Sequence, residues 1–108
     1  VNDVSQMAEL QDAIRDFADR RDWHQFHTPK NLAMALCGEA GELAAELQWL
    51  TPEESQHLDV AATERLRLEM ADVLIYLLRL ADVVGIDVED AVRTKLAINE
   101  SRFPAASN

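Results

Sequence analysis

The sequence predicts an all-α protein, four main helices forming an antiparallel bundle. Three observations carry that expectation. Glycine and proline number only three each in 108 residues, so turn-formers are scarce. Ala, Leu and Glu, which are good helix formers, are abundant. Apolar residues also recur at helical spacing over long stretches. The length fits a single domain over 1–108, with 1–4 and 105–108 expected to fray. A domain of this size buries only about 60–70% of the surface its unfolded chain exposes, so a core shared between subunits is expected.

Asp3 followed by Gln6 reads as a capping box opening the first helix, whose Met7, Leu10, Ile14 and Phe17 recur at helical spacing to about Arg20. The aromatic-rich, aperiodic stretch from Asp22 to His27 reads as a loop. Thr28-Pro29 is an N-cap followed by proline at the first helical position, and predicts a second helix from Pro29 to about Leu50. Thr51-Pro52-Glu53-Glu54 repeats that start signal and predicts a short helical turn. Residues 56–63 are the most loop-like part of the chain. A third helix is expected from about Ala61 to Val84, stopped by Gly85. Asp87 and Asp90 open a fourth, which runs to about Arg102 ahead of Phe103-Pro104.

The net charge of −10 disfavours binding to nucleic-acid phosphate or to an anionic membrane surface. The longest uninterrupted apolar stretch, Val73 to Leu78, is far short of the ~20 residues of a membrane span. Val1 to Val4 carry no basic residue and no signal-like apolar region. Cys37 is the single cysteine, so an internal disulfide is impossible, which suits a cytoplasmic location. Its place in an apolar helical pattern predicts a small buried hydrophobe.

On a wheel at about 100° per residue, Leu32, Leu36, Ala40, Leu43 and Leu47 form the core stripe of the second helix. Glu39, Glu42 and Glu46 form a narrow stripe beside it. The rest of the wheel, including Met34, Gly38, Gly41 and Ala45, is small or apolar. The third helix repeats this plan. Glu69, Asp72, Tyr76 and Arg79 share one side, with Leu66, Val73, Leu74, Leu77 and Leu80 as the expected core and Ala71, Ile75 and Leu78 as an apolar back.

A lone Glu-x-x-Glu is more often a solvated face than a site. Two such pairs on two mostly apolar helices point to convergence on a hard divalent cation, because clustered carboxylates cannot all ionise uncompensated. Mg²⁺ prefers oxygen ligands and bridges carboxylates to phosphates, which reconciles an acidic chain with an anionic ligand. A di-iron bundle would use Glu-x-x-His pairs. His24, His27 and His57 all lie outside the carboxylate stripes, and neither a phosphate-binding nor a dinucleotide-binding glycine loop is present.

Arg21-Asp22-Trp23-His24-Gln25-Phe26-His27-Thr28-Pro29-Lys30-Asn31-Leu32 leads into Gly38-Glu39-Ala40-Gly41-Glu42-Leu43, Glu46 and Gln48-Trp49. Glu69-Met70-Ala71-Asp72-Val73-Leu74-Ile75-Tyr76 and Lys95-Leu96-Ala97-Ile98-Asn99, then Arg102-Phe103-Pro104, follow. Together these resemble the MazG-like nucleotide pyrophosphohydrolases, and within them the dCTP pyrophosphatase-like branch, over roughly residues 5 to 104.

The resemblance implies a helical homo-oligomer, a tetramer in preference to a dimer, that converts a nucleoside triphosphate to monophosphate and pyrophosphate in nucleotide-pool house-cleaning. It implies dCTP or a related pyrimidine deoxynucleotide as substrate. Glu39, Glu42, Glu69 and Asp72 would hold Mg²⁺, with Mn²⁺ as a substitute, and Trp23, Trp49 and Tyr76 would line the nucleotide pocket. His27, Asn31, Lys95, Asn99 and Arg102 join the expected substrate contacts. Glu46 extends the acidic stripe and is a candidate to align the attacking water or to serve as a third metal ligand, its alternative being an ion pair with Arg65 or Arg79. Lys30 is a candidate for a phosphate rim. The chain departs from the family at Gly38-Glu39, where broader members double the glutamate, and at Ile14, where some relatives carry a polar residue. The rival class is a non-catalytic helical module for nucleotide binding or oligomeric interaction.

Overall fold

The computed structural model describes residues 5–106. They form α1 (Gln6–Asp19), a 3₁₀ turn (Trp23–Phe26), α2 (Pro29–Ala45), the short α3 (Pro52–Ser55), α4 (Val60–Val84) and α5 (Val88–Arg102), with no strand among them. The architecture is all-α with four main helices, and none is long and apolar enough to cross a membrane.

Local chemistry sets the boundaries. Ser5 caps α1 by accepting from the Ala8 N–H, while the expected Asp3 cap lies outside the described residues. Asp22 takes a left-handed backbone, φ 55°, which asparagine and aspartate tolerate better than most residues, and this turns the chain into the 3₁₀ segment expected as plain loop. Thr28 caps α2 through the Asn31 N–H, with Pro29 at the first position. The helix ends at Ala45 rather than Leu50. There the bonds shorten to three-residue turns, Glu46 to Leu43 and Leu47 to Ala44, as the chain tightens toward Thr51-Pro52. Thr51 and Glu54 close a reciprocal capping box over α3. Asp59 caps α4 one residue earlier than expected, and Asp87 caps α5. Gly85 ends α4 at φ 73°, and the Ile86 N–H returns to the Ala81 carbonyl, a conformation that favours glycine.

Cross-helix pairs reveal the directions of the helices. Arg65 meets Glu46, and Arg79 meets His27 just ahead of α2, so α2 and α4 run antiparallel. Gln11 donates to the Leu78 carbonyl and Arg15 to Asp82, so α1 and α4 run parallel. α4 is therefore the central helix, with α2 on one side and α1 on the other. Leu32 and Leu78 are each 1% exposed and anchor these two contacts.

That arrangement corrects the sequence reading of α4. Leu78, placed on its apolar back, faces α1 and is buried, whereas Leu74 and Leu77 remain 39% exposed. Cys37 also proves exposed instead of buried.

The single chain is open. Its radius of gyration is 17.2 Å, where a compact domain of this length has about 13 Å. Its accessible surface is 8479 Å², against about 6000 Å² for a folded monomer of 12.1 kDa. α5 makes only sparse contacts with the other helices and exposes Val92, Leu96 and Ile98.

At the α1–α4 contact, Asp82 accepts from Arg15 at 2.7 and 2.8 Å and from the buried Arg79 at 3.3 Å. The Arg15 hydrogen bond holds the Asp82 carboxyl below its ordinary range, opposed by burial and aided by both arginine charges. A carboxylate with a depressed folded-state pKa stabilises the fold fully above its ordinary pKa, and that stability is lost as pH falls through the depressed value. Asp82→Ala, which strands Arg79, should cost about 3 kcal/mol in urea unfolding at neutral pH. The deficit should shrink in acid below the ordinary carboxylate range. An equal deficit at both pH values would contradict this role.

Candidate active site

α2 and α4 each deliver acidic side chains at three-residue intervals, one helical turn apart. Antiparallel packing sets Glu39 against Glu69 and Asp72, and one carboxylate oxygen from each lies within 4.8 Å of the others. Glu39 Oε2 and Glu69 Oε2 are shielded from solvent and have no hydrogen-bond partner among the described residues. Both carboxyls titrate above their ordinary range. Loss of hydration is the largest cause, followed by repulsion from Glu42 and then Asp72. Unpartnered oxygens facing one another, with no nitrogen or sulfur among the donors, fit a hard divalent cation such as Mg²⁺ or Mn²⁺.

Glu42 lies outside this trio and is exposed, but its charge acts on both Glu39 and Glu69. Glu46 accepts from Arg65 Nε at 3.1 Å, so of its two expected partners it takes Arg65.

Beside the trio is a cavity of about 260 Å³, on whose wall Trp23, His27, Glu39, Asp72, Tyr76 and Arg79 all stand. Trp23 is held edge-on by Phe17, with ring centroids 5.6 Å apart, and lies 6.1 Å from the His27 ring. The 3₁₀ turn thus brings Trp23 and His27 over the side of α4 that carries Asp72 and Tyr76. Ile14 borders the same cavity from α1. A larger groove of about 440 Å³ between α1 and α4 is lined by apolar side chains without a titratable group.

The remaining candidates stand apart from the cavity. Asn31 donates to the Phe26 carbonyl at 3.0 Å, bracing the 3₁₀ turn on α2. Trp49 is 87% exposed in the turn after α2, and Lys30 is exposed. Lys95 borders an apolar hollow between α4 and α5. Asn99 lies farther along α5, and Arg102 stacks over Phe103 at 5.1 Å. Four cavity residues had no place in the expected site: Phe17, Ala18, Ile75 and Arg79. Phe17 carried only a core signal. Arg79 carried a better one, since it falls on the carboxylate side of α4.

Comparison with known proteins finds relatives in both sequence and fold. The MazG-like family model matches residues 35–108. Human dCTP pyrophosphatase 1 is 48% identical over 92 residues, covering 83% of this chain and 54% of the relative. The chain spans about half the length of the mammalian relatives it matches. A dATP/dGTP diphosphohydrolase of cyanophage S-2L is 60% identical over 35 residues, 32% of this chain and 33% of its own. The crystal structure of a pyrophosphatase from Archaeoglobus fulgidus DSM 4304 superposes with a TM-score of 0.90 at 39% identity, covering 97% of this chain and 98% of that one. With the acidic trio standing inside the matched region, the chain belongs to the MazG-like family.

Proposed function

We propose that the chain is an Mg²⁺-dependent nucleoside-triphosphate pyrophosphohydrolase, which cleaves a pyrimidine deoxynucleotide, dCTP foremost, to its monophosphate and pyrophosphate. The observation that carries this is the pair of shielded, unpartnered oxygens on Glu39 and Glu69 facing Asp72. The names of the mammalian relatives support the choice of base. The family fold and the adjoining aromatic cavity support the substrate class.

Glu39, Glu69 and Asp72 hold the cation, and Glu42 adds charge to the same set. When bound, the ion supplies Lewis-acid polarisation and neutralises phosphate charge, which a chain of net charge −10 otherwise repels. Mn²⁺ meets the same oxygen donors. Trp23 and Tyr76 flank the base, with Ile14 and Phe17 closing the apolar side and His27 offering a hydrogen bond. Glu46, braced by Arg65, orients water at the end of the acidic stripe in this reading.

The active form is a homo-oligomer, a tetramer in preference to a dimer, in which a second copy brings Lys95, Asn99, Arg102 and Trp49 toward the phosphates and base. The surface excess of roughly 2000 Å² or more per chain is of the size that obligate interfaces bury. Sedimentation at micromolar concentration should find no stable monomer; a compact, active monomer would overturn the assembly.

Glu39→Gln and Asp72→Asn should each cut pyrophosphate release from dCTP about a thousandfold or more while leaving helical circular dichroism unchanged. Phosphorus NMR identifies the products. Nucleotide binding without pyrophosphate would favour a non-catalytic module, and full activity in either variant would remove the trio from the mechanism.

Metal and proton compete for Glu39 and Glu69, the two carboxyls raised above their ordinary range. Raised carboxyl pKa values destabilise the metal-free fold as pH climbs through them, so Mg²⁺ should restore most stability where they are ionised. The Mg²⁺-induced rise in melting temperature should therefore be larger at about pH 8 than at about pH 5. A shift independent of pH would place the ion elsewhere.

A further inference from the structure

Arg79 is the one buried charged residue among those described, 6% exposed, and the carboxylate chemistry makes no use of it. It stands on α4 two turns beyond Asp72 and one beyond Tyr76, on the wall of the same cavity. Its Nε donates to His27 Nδ1 at 3.0 Å, and its Nη1 donates to Asp82. A guanidinium has donors only, so His27 Nδ1 must be the acceptor. The neutral ring then carries its single proton on Nε2. Burial, with the Arg79 charge adding to it, lowers the His27 pKa and keeps the ring in that neutral form. Asp82 in turn neutralises Arg79 and is itself tied to Arg15 on α1.

We propose that Arg79 is a positioning residue for the nucleotide cavity, fixing His27 with its proton on Nε2 so that the imidazole presents a hydrogen-bond donor to an acceptor atom on the bound nucleotide. The inference rests on reading this cavity as the nucleotide site. A histidine without that lock can offer either a donor or an acceptor at the same position, because the two tautomers lie close in energy. Arg79 removes the choice. The cavity wall beyond the aromatic rings then reads acceptors, and a ligand atom bearing hydrogen at that point is rejected, since a donor facing a donor leaves both unpaired.

Imidazole nitrogen NMR on the full chain tests the lock directly, with His27 assigned by the signals lost in His27→Gln. The wild type should show His27 Nδ1 unprotonated and Nε2 protonated, and Arg79→Met should mix the tautomers. Arg79→Met retains much of the buried stem, and Asp82 keeps Arg15, so the fold should survive; Arg79→Lys, which retains a donor, is the second variant. With dCTP and Mg²⁺, Arg79→Met should raise KM about tenfold with kcat within about threefold, as expected for loss of a ground-state hydrogen bond, and Arg79→Lys should recover part of it. In a His27→Gln background, Arg79→Met should add nothing further, because the two residues act as one unit.

A locked tautomer in Arg79→Met, an unchanged KM, or an equal loss in both backgrounds would overturn the inference. If the wild type releases no pyrophosphate yet keeps an Arg79-dependent tautomer, the hydrolase reading fails and the lock stands. If the tautomers are already mixed in the wild type, the lock fails and the hydrolase reading is untouched.

Discussion

The antiparallel contact between α2 and α4 sets like charges against one another, and the rest of the molecule is arranged around that constraint. Residue numbers rise along one helix as they fall along the other. A Glu-x-x-Glu on α2 therefore meets a Glu-x-x-Asp on α4 at one level, while Leu32 and Leu78 bury their side chains elsewhere. Face-to-face carboxylates oppose the packing of the helices that carry them. Compensation sits two turns further along α4, where Arg79, Asp82 and Arg15 pair opposite charges across the α1–α4 contact. The acidic end is poised for a cation, and the paired end anchors the frame that holds it.

The same frame positions the aromatic cavity. Thr28 and Pro29 start α2, Asn31 ties it back to the Phe26 carbonyl, and the left-handed Asp22 turns the chain so that Trp23 and His27 meet α4 beside Tyr76. Each device is local. Together they fix an aromatic wall next to the carboxylates with no glycine-rich phosphate loop. α5 follows a different logic. Its apolar and basic side chains find few partners within the chain and leave an apolar face open.

Much of this was legible in the sequence because the signals were local or periodic. The caps at Thr28, Thr51 and Asp87 and the stop at Gly85 stand where short motifs placed them. Helical period set Glu39 and Glu42, and Glu69 and Asp72, on matching faces, and the packing of the two helices selects Glu39, Glu69 and Asp72 as the closest group. What the sequence did not disclose depends on which neighbour each face meets. Leu78 and Leu74 are both apolar, four residues apart and on the same α1–α4 groove, yet the first is buried and the second open, a difference set by tertiary packing that the sequence pattern does not carry. Cys37 looked like core because apolar surroundings in sequence do not reveal whether a helix back is covered. Arg79 was visible on the acidic side, but its partner was the distant His27, a pairing that no spacing rule encodes.

Anomalous diffraction from crystals grown with Mn²⁺ asks whether Glu39, Glu69 and Asp72 together hold a divalent cation. If they do, a manganese peak stands within roughly 2.0–2.6 Å of oxygens from all three residues, in oxygen-only coordination. A peak confined to other carboxylates, or none at saturating Mn²⁺ with the three side chains in place, would contradict that role.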